Sequence, residues 1–272
     1  MTTTLGLEID APYAVTQEQI RFYRENGFVR LKGVFSAETI ADYAPEITRK
    51  VKELNTLDLP MEQRTTYQKA FLQVMNLWRH SDLVRRFVFG RRLARIAAEL
   101  METAGVRLYH DQALYKEAGG GFTPWHADQY YWPMASDRSI TAWVPLQAVP
   151  LAMGPLAFAP GSHRFDLGRD VPISDASQQK IEKQLLEKGL GQVEEAFELG
   201  EVSFHAGWTF HRAGKNTTPR PREVMTVIYM DRDMRLAAPR NENQQLDWDT
   251  WCPGAKVGEV IRTPLNPVVW EK

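Results

Sequence analysis

Ser139-Ile140-Thr141-Ala142-Trp143-Val144-Pro145-Leu146 is the stretch from which the architecture reads most directly. Ile140, Ala142, Val144 and Leu146 alternate with Thr141, Trp143 and Pro145, the period of two that sends successive side chains to opposite faces of a strand. The same signal returns on both sides of it, between Gly and Pro turns. Upstream, Arg107 to Tyr115 reads as a strand and runs into the flexible Gly119-Gly120-Gly121. Downstream, Pro155 to Ala159, Glu201 to Phe204 and Arg222 to Met230 read as strands, with a charged amphipathic helix, Ala176 to Leu190, inserted among them. Before Val106 the pattern is mostly helical. Thr16 and Gln19 have the spacing of a capping box for a helix that carries Ile20 and Tyr23, and Gly27 ends it. Phe28-Val29-Arg30-Leu31 reads as a short strand. Ser36 caps a second helix through Ile40, Tyr43 and Ile47, which Pro45 is expected to kink. Leu83 to Met101 continues helical. The expected fold is mainly β with flanking helices: a two-sheet jelly-roll core of double-stranded β-helix, cupin-like type over 106–235, with a helical insertion near 176–190 and mostly helical support over 1–105, in a single domain spanning 1–272.

The composition is that of an ordinary globular protein. Of 272 residues, 43% are apolar and 25% charged, and the formal net charge of -1 points to neither nucleic acid nor an anionic membrane as partner. Cys252 is the single cysteine, so no disulfide forms within the chain and a reducing compartment fits. Met1-Thr2-Thr3-Thr4 lacks a basic segment followed by an apolar run, no stretch approaches the roughly 18 apolar residues of a membrane span, and Val269-Trp270-Glu271-Lys272 matches no retention or peroxisomal address. The expectation is a cytoplasmic protein acting on a small molecule. The residues specify no oligomeric state.

There are six histidines, and a single one is more often structural than a ligand. The case for a site rests on combination. In Trp125-His126-Ala127-Asp128 an extended backbone puts an imidazole and a carboxylate on one side. The pair follows the glycine loop and precedes the aromatic Tyr130-Tyr131-Trp132. His211, in Phe210-His211-Arg212-Ala213-Gly214, lies several expected strands later, a distance over which a sandwich returns the chain to the same place. Two imidazoles and one carboxylate on one face leave metal positions open and suit Fe(II) without any cysteine. Arg222 then shares a strand face with Val224, Thr226 and Ile228, and a charge on an apolar face is costly unless paired. A 2-oxoglutarate molecule chelating the metal through its keto acid brings a far carboxylate to such a guanidinium, whose planar fork binds it in a bidentate way. Pairing of Arg222 with Glu223 or solvent at a strand start is the plainer reading of that residue alone.

Taken together, His126-Ala127-Asp128-Gln129, Thr141 to Leu146, Gly154-Pro155-Leu156, Pro160-Gly161-Ser162-His163, His211-Arg212-Ala213-Gly214, Pro221-Arg222 and Trp251-Cys252-Pro253-Gly254 give a chain that resembles, over nearly its whole length, the phytanoyl-CoA dioxygenase family of Fe(II)/2-oxoglutarate oxygenases. The resemblance implies the double-stranded β-helix fold, iron at His126, Asp128 and His211, the cosubstrate's far carboxylate at Arg222, and a 2-oxoglutarate pocket lined by Trp143 and Gln112. It implies use of O2 and, because Asp128 keeps the carboxylate that related halogenases lack, hydroxylation of a C–H bond of a small organic molecule with release of succinate and CO2. Some members have Met where Gln112 stands, and some have Ser where Ala213 stands. The upstream lysine used by certain members has its nearest counterpart in either Gln73 or Asn76. Of the remaining histidines, His163 belongs to a structural turn, His205 reads more readily as packing than as a pocket residue, and His110 sits on the strand of Gln112. Tyr130, Tyr131, Trp132 and Trp208 are candidates to face the substrate by adjacency, with ordinary packing as the other reading. Two competing functions remain at this point. One is a metal-dependent cupin enzyme that never uses 2-oxoglutarate, for which Arg222 has no purpose. The other is a catalytically inactive small-molecule-binding jelly roll, which has no reason to keep three ligands.

Overall fold

The structure, a computed structural model, describes residues 7–272. The amino-terminal Met1-Thr2-Thr3-Thr4, read above as lacking a targeting segment, lies outside the described residues. No helix among them is long and apolar enough to cross a membrane.

Among the described residues, eight α-helices and eleven strands follow in chain order: α1 Leu7–Asp10, α2 Gln17–Asn26, β1 Phe28–Leu31, α3 Ala37–Leu54, α4 Thr66–Ala70, β2 Leu72–Met75, α5 Asp82–Val88, α6 Arg91–Met101, β3 Gly105–Tyr115, β4 Thr123–His126, β5 Ser139–Pro145, β6 Leu156–Phe158, α7 Asp175–Glu187, β7 Val193–Glu194, β8 Val202–Ala206, β9 His211–Ala213, β10 Val224–Asp231, α8 Glu242–Trp251 and β11 Val268–Glu271. The large antiparallel sheet has the order β1-β8-β5-β10-β3-β11, with β2 beside the second half of β3; the small sheet has the order β4-β9-β6-β7. Together they form the jelly roll expected from the strand pattern.

Alternation decides what each face carries. Ile140, Ala142 and Val144 of β5 join Val202 and Phe204 of β8, Met225, Val227 and Tyr229 of β10 and the helices in one apolar core. Helix α6 supplies Leu93, Ala94, Ile96, Ala97 and Leu100 to it, and α3 supplies Ile40, Tyr43, Ile47 and Val51 at helical spacing. The opposite face of the same strands carries Thr141, Trp143, His205 and Thr226, which look toward the small sheet across a cavity. A bulge in β3 between the partners of Ile228 and Tyr229 switches its parity. Leu108 packs in the helical core, whereas His110, Gln112 and Leu114 line the cavity.

Several elements differ from the sequence expectation. The helical run from Leu83 to Met101 is two helices broken at Gly90, where an added Cβ would crowd the Ile9 and Phe87 carbonyls at 3.1 Å. The strand that opens at Ser139 stops at Pro145, one residue before Leu146. The large sheet also reaches outside 106–235, taking β1, β2 and β11 from the flanking segments.

Gly27 ties the helical layer to the turn between β8 and β9. It caps α2 at φ 79°, its carbonyl accepts the Thr209 hydroxyl at 2.7 Å, and an added Cβ would overlap His163 and Thr209. Gly33 has φ 62° with nothing within 4 Å. Gly33→Ala is therefore expected to cost only the backbone strain, about 1 kcal/mol, and Gly27→Ala about 3 kcal/mol or more. Urea midpoints of the two variants check this ordering.

Candidate active site

His126 ends β4 and His211 begins β9, and the two are direct partners across the antiparallel pair. Their rings lie 4.1 Å apart between centroids. Each uses Nδ1 locally: His126 donates to the Pro124 carbonyl at 2.8 Å and His211 to the Thr209 carbonyl at 3.0 Å. A carbonyl only accepts, so Nδ1 carries the proton and the Nε2 lone pair of each ring is free. Burial, then the neighbouring His211, pushes His126 down to about 4, and burial pushes His211 to the same value, so both rings are neutral at pH 7.

Asp128 lies just past the end of β4, at the start of a 3-10 turn that runs to Tyr130. Ala127 keeps an extended backbone (φ −124°, ψ 130°), so Asp128 still falls on the side of His126. Its Oδ1 is 3.6 Å from both Nε2 atoms. Its Oδ2 accepts the Thr141 hydroxyl at 3.0 Å and His205 Nε2 at 3.2 Å. Burial opposes ionisation of this carboxyl, but His211, His205 and His126 outweigh it and hold it well below the usual carboxylate range. One oxygen is thus anchored and the other faces two imidazole lone pairs. The three donor atoms lie within 4.8 Å of one another, an arrangement that can hold a single ion.

Thr141 and His205 are register partners across β5 and β8. His205 is 1% exposed and is a cavity residue, against the packing role expected of it.

Arg222 lies just before β10 and is 1% exposed, paired backbone to backbone with Lys116 at 2.8 and 2.9 Å. Its Nη1 donates to the Gly154 carbonyl, its Nε has no partner, and its guanidinium sits 5.4 Å from the Trp143 ring. Gly154 permits this at φ 70°, where a Cβ would overlap the Gly214 carbonyl. Lys116 is equally buried, and its ammonium reaches only the Gly121 carbonyl and the Thr123 hydroxyl. Burial, then Arg222, pushes Lys116 down to about 6, and burial pushes Arg222 down to about 9. Neither cation forms an ion pair with a carboxylate among the described residues. An unpaired guanidinium beside a cavity is the donor set that a dicarboxylate's far end fits.

The cavity, about 380 Å³, brings His126, Asp128, His211, Trp143, Gln112 and Arg222 together. Gln112 accepts from Gln73 Nε2 at 2.6 Å, and Gln73 in turn accepts from the Tyr67 hydroxyl at 3.0 Å. Gln73 lines the cavity; Asn76, turned away at φ 51°, accepts from the Trp78 indole instead. Ala213 lines it too, directly across from Thr123. Of the aromatic candidates Tyr131 and Trp132 face inward. Tyr130 and Trp208 do not: the 3-10 turn ends the strand alternation at Asp128, and the Trp208 indole donates to Asp137 at 3.0 Å. His163 lies elsewhere, its Nε2 at 3.2 Å from the Arg24 carbonyl. Sequence reasoning missed Lys116, buried two residues beyond Leu114 and bridged to Arg222, and Thr141, which lines the cavity.

The sequence profile of the phytanoyl-CoA dioxygenase (PhyH) family matches residues 23–224, which include every residue of the triad and Arg222. The chain belongs to the phytanoyl-CoA dioxygenase family. Family members are dioxygenases dependent on iron and 2-oxoglutarate. This member is 26% identical to an ectoine dioxygenase of Bordetella parapertussis, over 84% of this chain and 79% of that protein. It is 23% identical to the human peroxisomal phytanoyl-CoA dioxygenase, over 85% of this chain and 73% of that one. Among solved structures, the epimerase SnoN in complex with Fe3+, alpha ketoglutarate and nogalamycin RO superposes with a TM-score of 0.78 at 25% identity, covering 93% of this chain and 98% of SnoN.

Proposed function

We propose that this chain is an Fe(II)- and 2-oxoglutarate-dependent dioxygenase that hydroxylates an unactivated C–H bond of a small organic molecule, and that residues 1–272 act as one oxygenase domain. The observation that carries the reading is the coexistence, in one cavity, of three converging donor atoms and a buried Arg222 without a counter-charge. His126, Asp128 and His211 would hold the iron, and Arg222 would hold the far carboxylate of 2-oxoglutarate. When bound, the metal, the cosubstrate and O2 supply the oxidising power, with one oxygen atom entering the substrate and 2-oxoglutarate leaving as succinate and CO2.

The remaining work belongs to the chain. His126 and His211 present neutral nitrogens, so no proton has to leave them when a metal arrives at pH 7. Asp128 neutralises half of a dication and leaves room for further ligands on the open side. Trp143 and Phe197, with ring centroids 4.8 Å apart, back the Arg222 end with apolar surface and keep water from the cation. Arg222 fixes which way round the cosubstrate sits, because only one of its two acid ends also carries a keto group. A cupin enzyme of other metal chemistry has no use for that cation, and a binding protein has none for three converging metal donors.

Thr141 and His205 act through Asp128. Thr141→Val and His205→Phe each free Oδ2 to turn, and Fe(II) affinity is expected to fall by about 10–100-fold. His205→Gln keeps a donor and recovers part of the loss; equilibrium dialysis reads the difference, which a purely packing role would not produce.

The experiment that tests the function is succinate release by purified protein with 2-oxoglutarate and O2. Succinate that requires Fe(II), is not supported by Zn(II), and is stimulated by a cognate substrate supports the proposal. Iron-loaded protein that never converts 2-oxoglutarate contradicts it.

A further inference from the structure

The cavity has a second charged end that the chemistry above does not use. Helix α8 lies beyond the residues matched by the family profile. Asn243, Leu246, Asp247, Thr250 and Trp251 recur at three- and four-residue spacing and form its cavity-facing side. The helix is fixed in place: Asn241 caps it, Gln244 Nε2 donates to the Tyr130 carbonyl at 3.0 Å, and the Trp248 indole donates to the Ala255 carbonyl at 3.0 Å.

Asp247 is the acid on that side. Its Oδ2 accepts the Tyr109 hydroxyl at 2.9 Å, and the Trp251 side chain donates to it. No lysine, arginine or histidine neutralises it among the described residues. The titratable groups around it are Tyr109, Tyr131 and Cys252, each pushed up by burial, and His110, which burial pushes down to about 4 and leaves neutral. Burial raises Asp247 itself to about 7, the cost of an ionised carboxylate without a counter-cation. The walls nearby are aromatic: Trp251 donates to Asp247, Tyr131 lies within its field, and Trp132 packs edge-on against Tyr109 with ring centroids 5.5 Å apart. Tyr109, which holds Asp247 from the bulge midway along β3, and Lys116, which is bridged to Arg222 just past its end, lie about 20 Å of extended chain apart.

We propose that the substrate is a small organic cation, a protonated amine or amidinium, whose charged nitrogen pairs with Asp247 and rests against Trp132 and Trp251. This rests on reading the cavity as an oxygenase site. A carboxylate set among aromatic side chains recognises a cation, and a ring that can turn its face to the charge adds attraction that a neutral ligand does not receive. The two ends also sort the two organic ligands. The dianionic cosubstrate is drawn to Arg222 and repelled by Asp247, and the cation is placed the other way, so neither occupies the other's subsite.

The test uses the full chain, anaerobic, with Fe(II) and 2-oxoglutarate. The charge-transfer band of that complex reports metal and cosubstrate before any further ligand is added, so its absence counts against the oxygenase reading and not against the cation site. 2-Phenylethylammonium, 2-phenylethanol and 3-phenylpropanoate are then titrated, read by the change in tryptophan fluorescence and checked by calorimetry. The expected result is ammonium binding at least about tenfold tighter than the alcohol. That preference is expected to vanish in Asp247→Asn, and the carboxylate to bind most weakly. A second readout is stability without ligands. A carboxyl whose folded value lies above its unfolded one loses stability as pH rises from about 4 through about 7. Asp247→Asn is therefore expected to raise Tm at pH 8 and not at pH 4. Equal binding of alcohol and ammonium, no ammonium binding at all, a preference that survives Asp247→Asn, or a Tm that falls in that variant at pH 8 would each overturn the proposal.

Discussion

His211→Ala is expected to abolish Fe(II)-dependent conversion of 2-oxoglutarate to succinate while leaving the protein folded. His211 contributes one of three donors, and its Nε2 faces His126 directly across the β4–β9 pair. Two donors cannot define a face of an octahedron, and loss of the third is expected to weaken iron by more than about 100-fold, the upper end of what mere supporting partners achieve. The structural cost is smaller. The ring is neutral, its Nδ1 bond to the Thr209 carbonyl is one local contact, and alanine keeps the strand backbone. A loss of about 1–3 kcal/mol is expected for the buried ring. Metal content after dialysis should therefore drop to background while a cooperative thermal transition persists. A variant that retains iron and turnover would remove His211 from the centre.

Arg222→Met separates binding from stability. Among the described residues the buried guanidinium makes one side-chain hydrogen bond, to Gly154, and meets no carboxylate; in the proposed site the cosubstrate would supply one. Removing one partner of a desolvated charge pair costs about 2–5 kcal/mol, so KM for 2-oxoglutarate is expected to rise roughly 100-fold. Replacing an unpaired buried cation by an apolar side chain of similar length relieves desolvation. The cosubstrate-free variant is therefore expected to melt no lower than wild type. Steady-state kinetics and calorimetry on the same preparation read both effects. Weakened cosubstrate binding together with a collapse in Tm would instead mark Arg222 as a structural residue.

How much of this was legible follows from the range over which each signal acts. His126 and Asp128 could be paired from local alternation because Ala127 stays extended, although the strand itself has already ended. Arg222 was readable because its face is apolar for three further alternations, and the structure keeps that parity through Val224, Thr226 and Ile228. Thr141 and His205 meet only through the β5–β8 register, which no local pattern encodes. Tyr130 and Trp208 failed because adjacency along the chain was used where the backbone turns. Helix α8 escaped notice since its inner side lines a cavity and mixes Asn243, Asp247 and Thr250 with Trp251, so it has no apolar stripe to detect. The edge strands β2 and β11 are short and partly exposed, and their pairing with β3 is a matter of tertiary context.

The central claim is one iron and one 2-oxoglutarate in the cavity between His126, Asp128, His211 and Arg222. Anaerobic titration of the Fe(II)-loaded protein with 2-oxoglutarate, followed by visible absorption, tests it most directly. The account predicts a weak metal-to-ligand charge-transfer band in the green that saturates at one cosubstrate per chain, is absent in His211→Ala, and needs far more cosubstrate in Arg222→Met. Wild-type protein that holds iron by elemental analysis yet shows no band at saturating 2-oxoglutarate would contradict it.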